Sequence, residues 1–398
     1  MRKERQIALV ERLLSVMGKG PEDTCREGTI DVDRYISPSR LEAEKKALFK
    51  NRPIIVGRAS DLPGGGAFFT HDAAGVPMLI TRDIGGRVHA MLNVCRHRGT
   101  RLVTETSGSG QKAFVCPYHA WTYDLCGNLG HVPLSKCFPT LERDESALVE
   151  LPCEVRHGFI WVIPRAARRG EAFSVAAWLG EFDDDFAAFD LEHHVVFGRS
   201  ESVRRANWKL VMDAFLEGYH VKSLHQHTLS RFFKDDVIID VSAPHVRSVG
   251  ARRNLPEVMN TSKDAWNVRT CTTVFYNLFP NSVLVFHPET ISHIALFPKS
   301  IDEVVFMHTM LAPHEPRDEA ERSSWFKTWE LIDQQVFAKE DLVIAESIQS
   351  VLHADAQRTF RLGSLEHPIR IFHDAIDEAI AQGAARSSKG PQGGQDPA

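Results

Sequence analysis

The sequence predicts an α+β protein of two domains, in which an antiparallel β-domain precedes a second antiparallel sheet flanked by helices. Three observations predict this order. Short β-branched and aromatic runs such as PIIVG and PMLITRD alternate with turn residues through the first part of the chain. Runs of the same type, such as TTVFYNLFPNSVLVFHP, return in the second part. Two long helical segments follow them, DEAERSSWFKTWELIDQQVF and KEDLVIAESIQSVLHADAQ.

The composition is that of an ordinary globular chain. Its 398 residues are 43% hydrophobic and 25% charged, and the formal net charge is -5. Because no sustained run of lysine or arginine occurs, neither nucleic acid nor an anionic membrane is an expected partner. No stretch approaches the roughly 18 uncharged apolar residues of a membrane span. The seven cysteines are scattered and odd in number, unlike a secreted disulfide framework. We therefore expect a cytoplasmic protein.

The patterns divide the chain into four predicted segments. Residues 1–37 begin with MRKERQIALVERLLSVM, whose apolar spacing is that of an amphipathic helix and not of a signal peptide. We expect this N-terminal segment to pack on the second domain. The β-domain occupies residues 38–170 and the second domain residues 171–382. Residues 383–398 are rich in Gly, Pro and Ser, which predicts a disordered tail.

Two short motifs in the β-domain each combine one cysteine with one histidine. CRHRG places Cys95 and His97 one residue apart, and CPYHAW places Cys116 and His119 two residues apart. These residue types can hold zinc in a tetrahedral site, but common zinc modules group like ligands together. A binuclear cluster with two thiolates on one iron and two imidazoles on the other needs one cysteine and one histidine from each motif, as found here.

The two motifs, continued by TYDLCGNL, resemble those of the Rieske family of 2Fe–2S proteins. The resemblance implies that Cys95 and Cys116 hold the inner iron, and that His97 and His119 hold the outer one. Neutral imidazoles in place of two thiolates raise the reduction potential of such a cluster relative to an all-thiolate one. The cluster would therefore act as an electron carrier.

A second set of potential ligands lies in MDAFLEGYHVKSLHQH. Asp213, Glu217 and His220 are spaced i, i+4 and i+7, so a continuous helix would present all three on one face. His225 follows, with His227 as an alternative. Two imidazoles and one carboxylate form the ligand set of non-haem Fe(II) sites that activate oxygen, although pairs also arise by chance among 19 histidines.

With the preceding NWK and the Rieske motifs, this stretch resembles the α-subunits of Rieske non-haem iron oxygenases, also called aromatic-ring-hydroxylating oxygenases. The resemblance covers roughly residues 35–356 and implies a helix-grip-like catalytic domain. It makes His220 and His225 ligands of a mononuclear Fe(II). The third ligand comes from a late helix, where KEDLVIAESIQS offers Asp341, with Glu340 as the alternative.

The same resemblance gives Glu217 a bridging role. Many relatives have Asp three residues before the first iron-binding histidine, where it joins the two metal centres across a subunit interface through His119. Glutamate occurs there among relatives that oxidise quaternary ammonium substrates. We expect Asp213 either to support the iron site from behind its ligands or only to pack nearby.

The resemblance implies a terminal oxygenase that uses O2 and NAD(P)H-derived electrons from a separate reductase, directly or through a ferredoxin. Its expected reaction is mono- or dioxygenation of an aromatic or other hydrophobic small molecule, as in aromatic hydrocarbon catabolism. A quaternary-ammonium or demethylating monooxygenase is the alternative enzyme, and a non-catalytic Rieske electron-transfer protein is the alternative of another class. The resemblance also implies head-to-tail contacts between subunits, which would close into a homotrimer, with or without a separate β-subunit. Four histidines match no pattern and are expected on the surface or in the core: His193, His194, His287 and His293.

Overall fold

A computed structural model describes residues 1–19, 25–72, 75–168, 171, 173–354 and 356–388 of the chain. The chain divides into two compact units. The first unit comprises Met1 and Phe49–Val195, and the second comprises Arg2–Leu48 and Val196–Ala398. None of the described helices has both the length and the apolar composition that crossing a membrane requires.

The elements follow one another in mixed order, which confirms the predicted α+β class. In chain order the described α-helices are α1 (Lys3–Val16), α2 (Asp33–Ile36), α3 (Pro38–Glu44), α4 (Val175–Leu179), α5 (Phe182–Ala188), α6 (Trp208–Ala214), α7 (Val221–Leu224), α8 (Val268–Cys271), α9 (Glu319–Trp329), α10 (Leu342–Val351) and α11 (His367–Ser388). The strands are β1 (Gly28–Asp31), β2 (Ile54–Arg58), β3 (Phe68–His71), β4 (Met78–Arg82), β5 (Val88–Leu92), β6 (Ser107–Gly108), β7 (Ala113–Val115), β8 (Thr122–Asp124), β9 (Leu129–His131), β10 (Cys153–Arg156), β11 (Phe159–Val162), β12 (Val195–Arg204), β13 (Phe233–Ser242), β14 (His245–Arg252), β15 (Thr272–Leu278), β16 (Ser282–Phe286), β17 (Ile291–Pro298), β18 (Val304–Ala312) and β19 (Thr359–Leu362). Two π-helical stretches occupy Lys45–Phe49 and Glu330–Asp341.

The first unit is built from three small antiparallel sheets. Their strand orders are β10-β11-β2, β5-β4-β3-β6 and β7-β8-β9. The turn-rich spacing of the β-branched runs produces these short hairpins. One hydrophobic core includes Leu79, Met91, Trp121 and Tyr123 and also contains the two motif cysteines. The cysteines therefore lie inside a packed core rather than on a surface loop.

The second unit is built on a seven-stranded sheet of order β12-β18-β17-β16-β15-β14-β13. Successive strands from β13 to β18 pair antiparallel. Every residue of β16 and β17 is buried, which places apolar side chains on both faces of the sheet centre. Helix α1 contacts β13 and α8, and α10 contacts α6. The chain ends of the unit are joined by the β1–β19 ribbon.

Two predicted elements have different bounds. The continuous helix considered for MDAFLEGYHVKSLHQH does not form, because α6 ends at Ala214 and α7 begins at Val221. Gly218, a poor helix former, lies in the break, and the Glu217 carboxylate accepts from the Tyr219 and His220 amides in competition with helical bonds. At the other end of the chain, α11 runs to Ser388, six residues into the predicted disordered tail. The rest of that tail lies outside the described residues.

Candidate metal centres and substrate cavity

The two Cys/His motifs form two loops of the same backbone shape. The first loop begins shortly after β5, and the second begins directly after β7. In the first loop Cys95 N donates to Thr100 O (2.8 Å) and Gly99 N donates to Cys95 O (3.0 Å). The second loop has the same two bonds: Cys116 N donates to Trp121 O (2.8 Å), and Ala120 N donates to Cys116 O (3.0 Å).

Both loops turn through a residue with positive φ. Gly99 has φ 78° and Ala120 has φ 56°. Glycine adopts this conformation freely, whereas a residue with a Cβ gives up about 1–2 kcal/mol. Such local strain is found mainly at functional sites, and here it brings the second histidine next to the first.

The four side chains meet with the cysteines inside and the histidines outside. Cys95 and Cys116 are each 2% exposed, and the ring centroids of His97 and His119 are 4.6 Å apart. Burial is the largest cause that raises the pKa of Cys95, and the neighbouring Cys116 raises it further. His119 is exposed and His97 is half-buried. One edge of the site therefore faces solvent through its imidazoles.

His97 is held in a single orientation. Its ring stacks on that of Trp121, with centroids 4.8 Å apart and an angle of 11° between the planes. Its Nδ1 atom is buried and has no hydrogen-bond partner among the described residues. A buried polar atom without a partner is costly, and ligation of a metal would satisfy it. The thiol and imidazole donors thus fit a Rieske cluster.

A second cluster of donors lies in the second unit. The ligand atoms of His220, His225 and Asp341 all lie within 4.8 Å of one another. Asp341 Oδ1 is 3.1 Å from His225 Nε2 and 3.6 Å from His220 Nε2. This oxygen is buried and accepts no hydrogen bond from a described residue. His227, the alternative to His225, is exposed and lies outside the cluster.

A carboxylate occupies the far side of each of these two histidines. Glu217 Oε1 contacts His220 Nδ1, and Glu340 Oε2 lies 2.6 Å from His225 Nδ1. Thr228 donates to the same Glu340 oxygen (2.7 Å). A carboxylate on Nδ1 keeps the proton there and leaves the Nε2 lone pair for a metal. Sequence reasoning treated Glu340 only as a rival ligand and missed this role, as it missed Thr228.

The NWK motif anchors the helix that leads into the site. The Asn207 side-chain oxygen caps α6 by accepting from Lys209 N (3.0 Å), and Asn207 backbone N donates to Gln349 Oε1 of α10 (2.8 Å). Glu44 of α3 accepts from Trp208 Nε1 (3.0 Å) and from Lys209 Nζ (2.7 Å). The Lys209 and Glu44 side chains are fully buried, so removing Glu44 would leave the buried Lys209 charge without its carboxylate partner.

Asp213 bonds to residues outside the histidine cluster. Tyr35 of α2 donates to its Oδ2 (2.7 Å), and His373 Nε2 of α11 lies 3.2 Å from its Oδ1. Burial and the Asp213 charge both raise the pKa of Tyr35. Asp213 therefore joins α2, α6 and α11 instead of bonding directly to the ligand histidines. Its partners lie more than 150 residues away along the chain, which is why no local pattern revealed them.

A cavity of about 840 Å³ opens beside the histidine cluster. His220, His225 and Asp341 form part of its wall. Phe275 of β15 and Val285 of β16 are in the wall, whereas Tyr276 and Phe279 are buried and do not line the cavity. The phenylalanines along the cavity are Phe215, Phe232, Phe233, Phe275 and Phe337. The wall thus combines aromatic and aliphatic side chains with charged and polar ones.

His287 also lines this cavity, which the sequence did not predict. Its Nε2 lies 3.1 Å from Ser292 Oγ, which is 2.9 Å from His308 Nε2. His308 Nδ1 in turn lies 2.9 Å from Asp333 Oδ1. Burial is the main cause that lowers the pKa of His287 to about 3. The cavity wall is therefore backed by a buried polar chain with a neutral histidine at its end.

Comparison with known proteins identifies this arrangement. The family model described as "Rieske 2Fe-2S domain" matches residues 52–142, and the model described as "Ring hydroxylating alpha subunit (catalytic domain)" matches residues 189–382. Choline monooxygenase of Atriplex hortensis is 30% identical over 354 residues, which are 87% of this chain and 76% of that protein. The chain belongs to the Rieske non-haem iron oxygenase α-subunit family.

Two further relatives add detail. The glycine betaine monooxygenase oxygenase subunit of Chromohalobacter salexigens is 32% identical over 224 residues, 55% of this chain and 48% of that subunit. A solved quaternary ammonium Rieske monooxygenase, described with carnitine oxidation and inter-subunit electron transfer, superposes with a TM-score of 0.76. That likeness covers 89% of this chain and 96% of the other at 22% identity, and it shows the shared fold.

Membership in this family establishes the cofactors. A Rieske oxygenase α-subunit carries a 2Fe–2S Rieske cluster and a mononuclear iron, consumes O2 and receives its electrons from a reductase. The donor sets in both units fit these two cofactors: thiolates with imidazoles suit a Rieske cluster, two imidazoles with a carboxylate suit non-haem iron, and each set has a buried atom without a hydrogen-bond partner among the described residues.

Proposed function

We propose that this protein is the terminal oxygenase of a quaternary-ammonium monooxygenase system. The observation that carries the proposal is the His220–His225–Asp341 cluster in the wall of a phenylalanine-lined cavity. The names of the sequence relatives, choline and glycine betaine monooxygenases, support this alternative over the aromatic or hydrophobic substrate that we expected first. The Rieske ligands would be Cys95, His97, Cys116 and His119, and the mononuclear iron ligands His220, His225 and Asp341.

The cavity has the chemistry for a cationic headgroup. Phe215 and Phe337 meet edge to face with centroids 5.5 Å apart, and both line the cavity. A trimethylammonium group gains about 0.5–2 kcal/mol over an aromatic face and has no hydrogen bond to lose on leaving water. The phenylalanines of the wall also exclude water from the part of the cavity that they line.

The residues around the iron position have distinct tasks. When bound, the iron would activate O2, and the iron and the cluster would each supply one of the two electrons that a monooxygenation needs, both restored by the reductase. His220 and His225 present their Nε2 atoms while Glu217 and Glu340 hold the Nδ1 protons. The overall reaction replaces one substrate C–H bond by C–OH, and the second oxygen atom leaves as water with two protons.

Two exposed tyrosines support assembly into a head-to-tail homotrimer. Tyr118, beside His119, is 55% exposed, and Tyr219, beside Glu217, is 69% exposed. Exposed aromatic side chains are enriched at protein interfaces. In the trimer, His119 of one subunit would approach Glu217 of the next, so that electrons cross between chains. A separate β-subunit is not needed for this contact.

Replacing Glu217 by glutamine tests the bridge. Glu217→Gln keeps the shape and removes the charge that faces His220, so both metal centres should stay occupied while electron delivery slows by roughly 10–100-fold. The measurement is single turnover: the protein is reduced, mixed with substrate and O2, and cluster reoxidation is followed with product. The exposed Glu257 provides the control variant, Glu257→Gln. Normal reoxidation in metal-replete Glu217→Gln would exclude the bridge.

Mixed subunits test the assembly independently. A Cys95→Ser subunit lacks the cluster and a His220→Ala subunit lacks the iron, so each alone should be inactive. Activity that returns when the two are co-assembled means that electrons cross between chains. No recovery in trimers whose mixing is verified by mass would contradict the intersubunit route.

Iron content and a substrate panel test the function itself. A functional oxygenase contains about three irons per chain, whereas an electron-transfer protein with the cluster alone contains about two. With a Rieske reductase and NADH, we expect O2 uptake and product from choline, glycine betaine or carnitine, and none from naphthalene. Product only from the aromatic compound, or two irons and no product, would overturn the proposal.

A further inference from the structure

An arginine lies in the wall of the proposed substrate cavity. Strand β14 is buried along its length until its last residue, Arg252, which is partly exposed and lines the cavity. The guanidinium carbon is 5.4 Å from the ring centroid of Phe232 and 5.5 Å from that of Phe233. Nη1 donates to Thr273 Oγ1 (3.2 Å). These three contacts hold the guanidinium in a defined place.

Arg252 has no acidic partner among the described residues, unlike Arg247 in the same strand and Arg269 in α8. Arg247, in the same strand, lies 2.7 Å from Asp240. Burial lowers the pKa of Arg269, and the nearby Glu289 partly offsets this by raising it. Burial also lowers the pKa of Arg252, but no carboxylate offsets the effect there. Because a guanidinium stays protonated in proteins, Arg252 brings an uncompensated positive charge to the cavity.

The remaining carboxylates of the cavity wall are engaged elsewhere. Glu217 and Asp341 belong to the histidine cluster. The others have the following partners: Glu289 accepts from Trp325 Nε1 (3.1 Å), Asp235 pairs with Lys222 Nζ (3.3 Å) and Asp236 accepts from Gly18 N (2.7 Å). A cation that is partly withdrawn from water is stabilised by an anionic partner. A ligand that carries an anionic group can supply that partner.

We propose that Arg252 forms a carboxylate-binding subsite, so that the substrate is a zwitterion with a quaternary ammonium at one end and a carboxylate at the other. This inference rests on the proposed function and narrows its substrate class. The planar guanidinium can take a carboxylate through two parallel N–H···O bonds. The phenylalanine faces elsewhere in the cavity receive the ammonium. Anchoring the carboxylate at Arg252 selects which carbon of the substrate reaches the iron position.

Calorimetric binding to the anaerobic holoenzyme tests the subsite with matched probes. Glycine betaine and choline share the trimethylammonium group, but only the first carries a carboxylate. A second pair is γ-butyrobetaine and its methyl ester. Arg252→Gln should weaken the two carboxylate probes by roughly 10–100-fold, the value of a charge-assisted hydrogen-bond pair. Choline and the ester should bind equally well or more tightly, because a positive charge that repels their ammonium is gone.

Two further variants separate recognition from folding. Arg231 is exposed and its guanidinium carbon lies 4.8 Å from the centroid of the same Phe232 ring, but it does not line the cavity. Arg231→Gln makes the same charge change and should leave the binding of all four probes as in the wild type. Arg252→Lys keeps the charge and loses the planar fork, so its affinity for carboxylates should be intermediate. Each variant is checked for cluster spectrum and iron content.

The outcomes distinguish this inference from the proposed function. Equal weakening of all four probes in Arg252→Gln, or no weakening of the carboxylate probes, overturns the subsite. Wild-type protein that binds choline and the ester but neither carboxylate probe also overturns it, and leaves the proposed function standing. Wild-type protein that binds none of the four overturns the proposed function, and the subsite with it.

Discussion

Asp341→Ala is expected to abolish substrate oxidation and to empty the mononuclear iron site while the Rieske cluster keeps its spectrum. Asp341 Oδ1 lies 3.1 Å from His225 Nε2 and 3.6 Å from His220 Nε2. It has no other hydrogen-bond partner among the described residues. Alanine removes one of three protein ligands. The loss in turnover should exceed about 100-fold, the upper end of what the loss of an outer-sphere partner costs.

The neighbouring residue provides the matched comparison. Glu340→Ala removes the carboxylate on His225 Nδ1 but leaves all three proposed ligands, so iron affinity should fall by roughly 10–100-fold without the site becoming unable to bind iron. Iron content, the EPR spectrum and product formation are measured for both variants. If Glu340→Ala empties the site and Asp341→Ala does not, the assignment of the carboxylate ligand is wrong by one residue.

Cys116→Ser is expected to remove the Rieske cluster, with loss of the brown colour and of the EPR signal of the reduced protein. Cys95→Ser should do the same, because both thiols lie in the hydrophobic core and face each other across the site. A serine hydroxyl is a poor ligand for an iron that requires thiolate. Without the cluster, one of the two electrons for each turnover has no source, so product formation in single turnover should cease.

Cys126 offers the control for this experiment. It lies in the same unit but is exposed, so Cys126→Ser should keep the cluster and its spectrum. The mononuclear iron of Cys116→Ser should also remain, since its proposed ligands lie in the other unit. A Cys116→Ser protein with the full reduced signal would contradict the assignment of the cluster ligands.

Short-range chemistry was predictable from the sequence. The conformation of each Cys/His loop depends on fewer than seven residues, because backbone hydrogen bonds within the loop join its two ends. The α+β class and the antiparallel strands of the second unit were predictable for a similar reason, since period-two patterns act between near neighbours. The kinds of ligand at both metal centres, and through them the family, follow from such local patterns.

Local spacing failed where a side chain's direction depends on distant contacts. In a regular helix Glu340 and Asp341 point roughly 100° apart, and spacing alone cannot say which faces the histidines. The chain around them is π-helical, a form found mostly at functional sites. There Asp341 faces both Nε2 atoms and Glu340 takes His225 Nδ1. The break after α6 likewise depends on the Glu217 carboxylate, which accepts from two backbone amides. The helical spacing of the residues did not predict these hydrogen bonds.

The sequence by itself determined the α+β class and the oxygenase family and indicated the two candidate ligand sets, because each of these depends on residue types at short spacing. Only the tertiary structure decided the partners of Asp213, the place of His287 and the unpaired charge of Arg252 in the cavity wall. Each of these depends on side chains that lie far apart in the chain and become neighbours only when the sheet and helices pack. Packing fixes which charges are compensated and which are left for a ligand, and no local pattern contains that information.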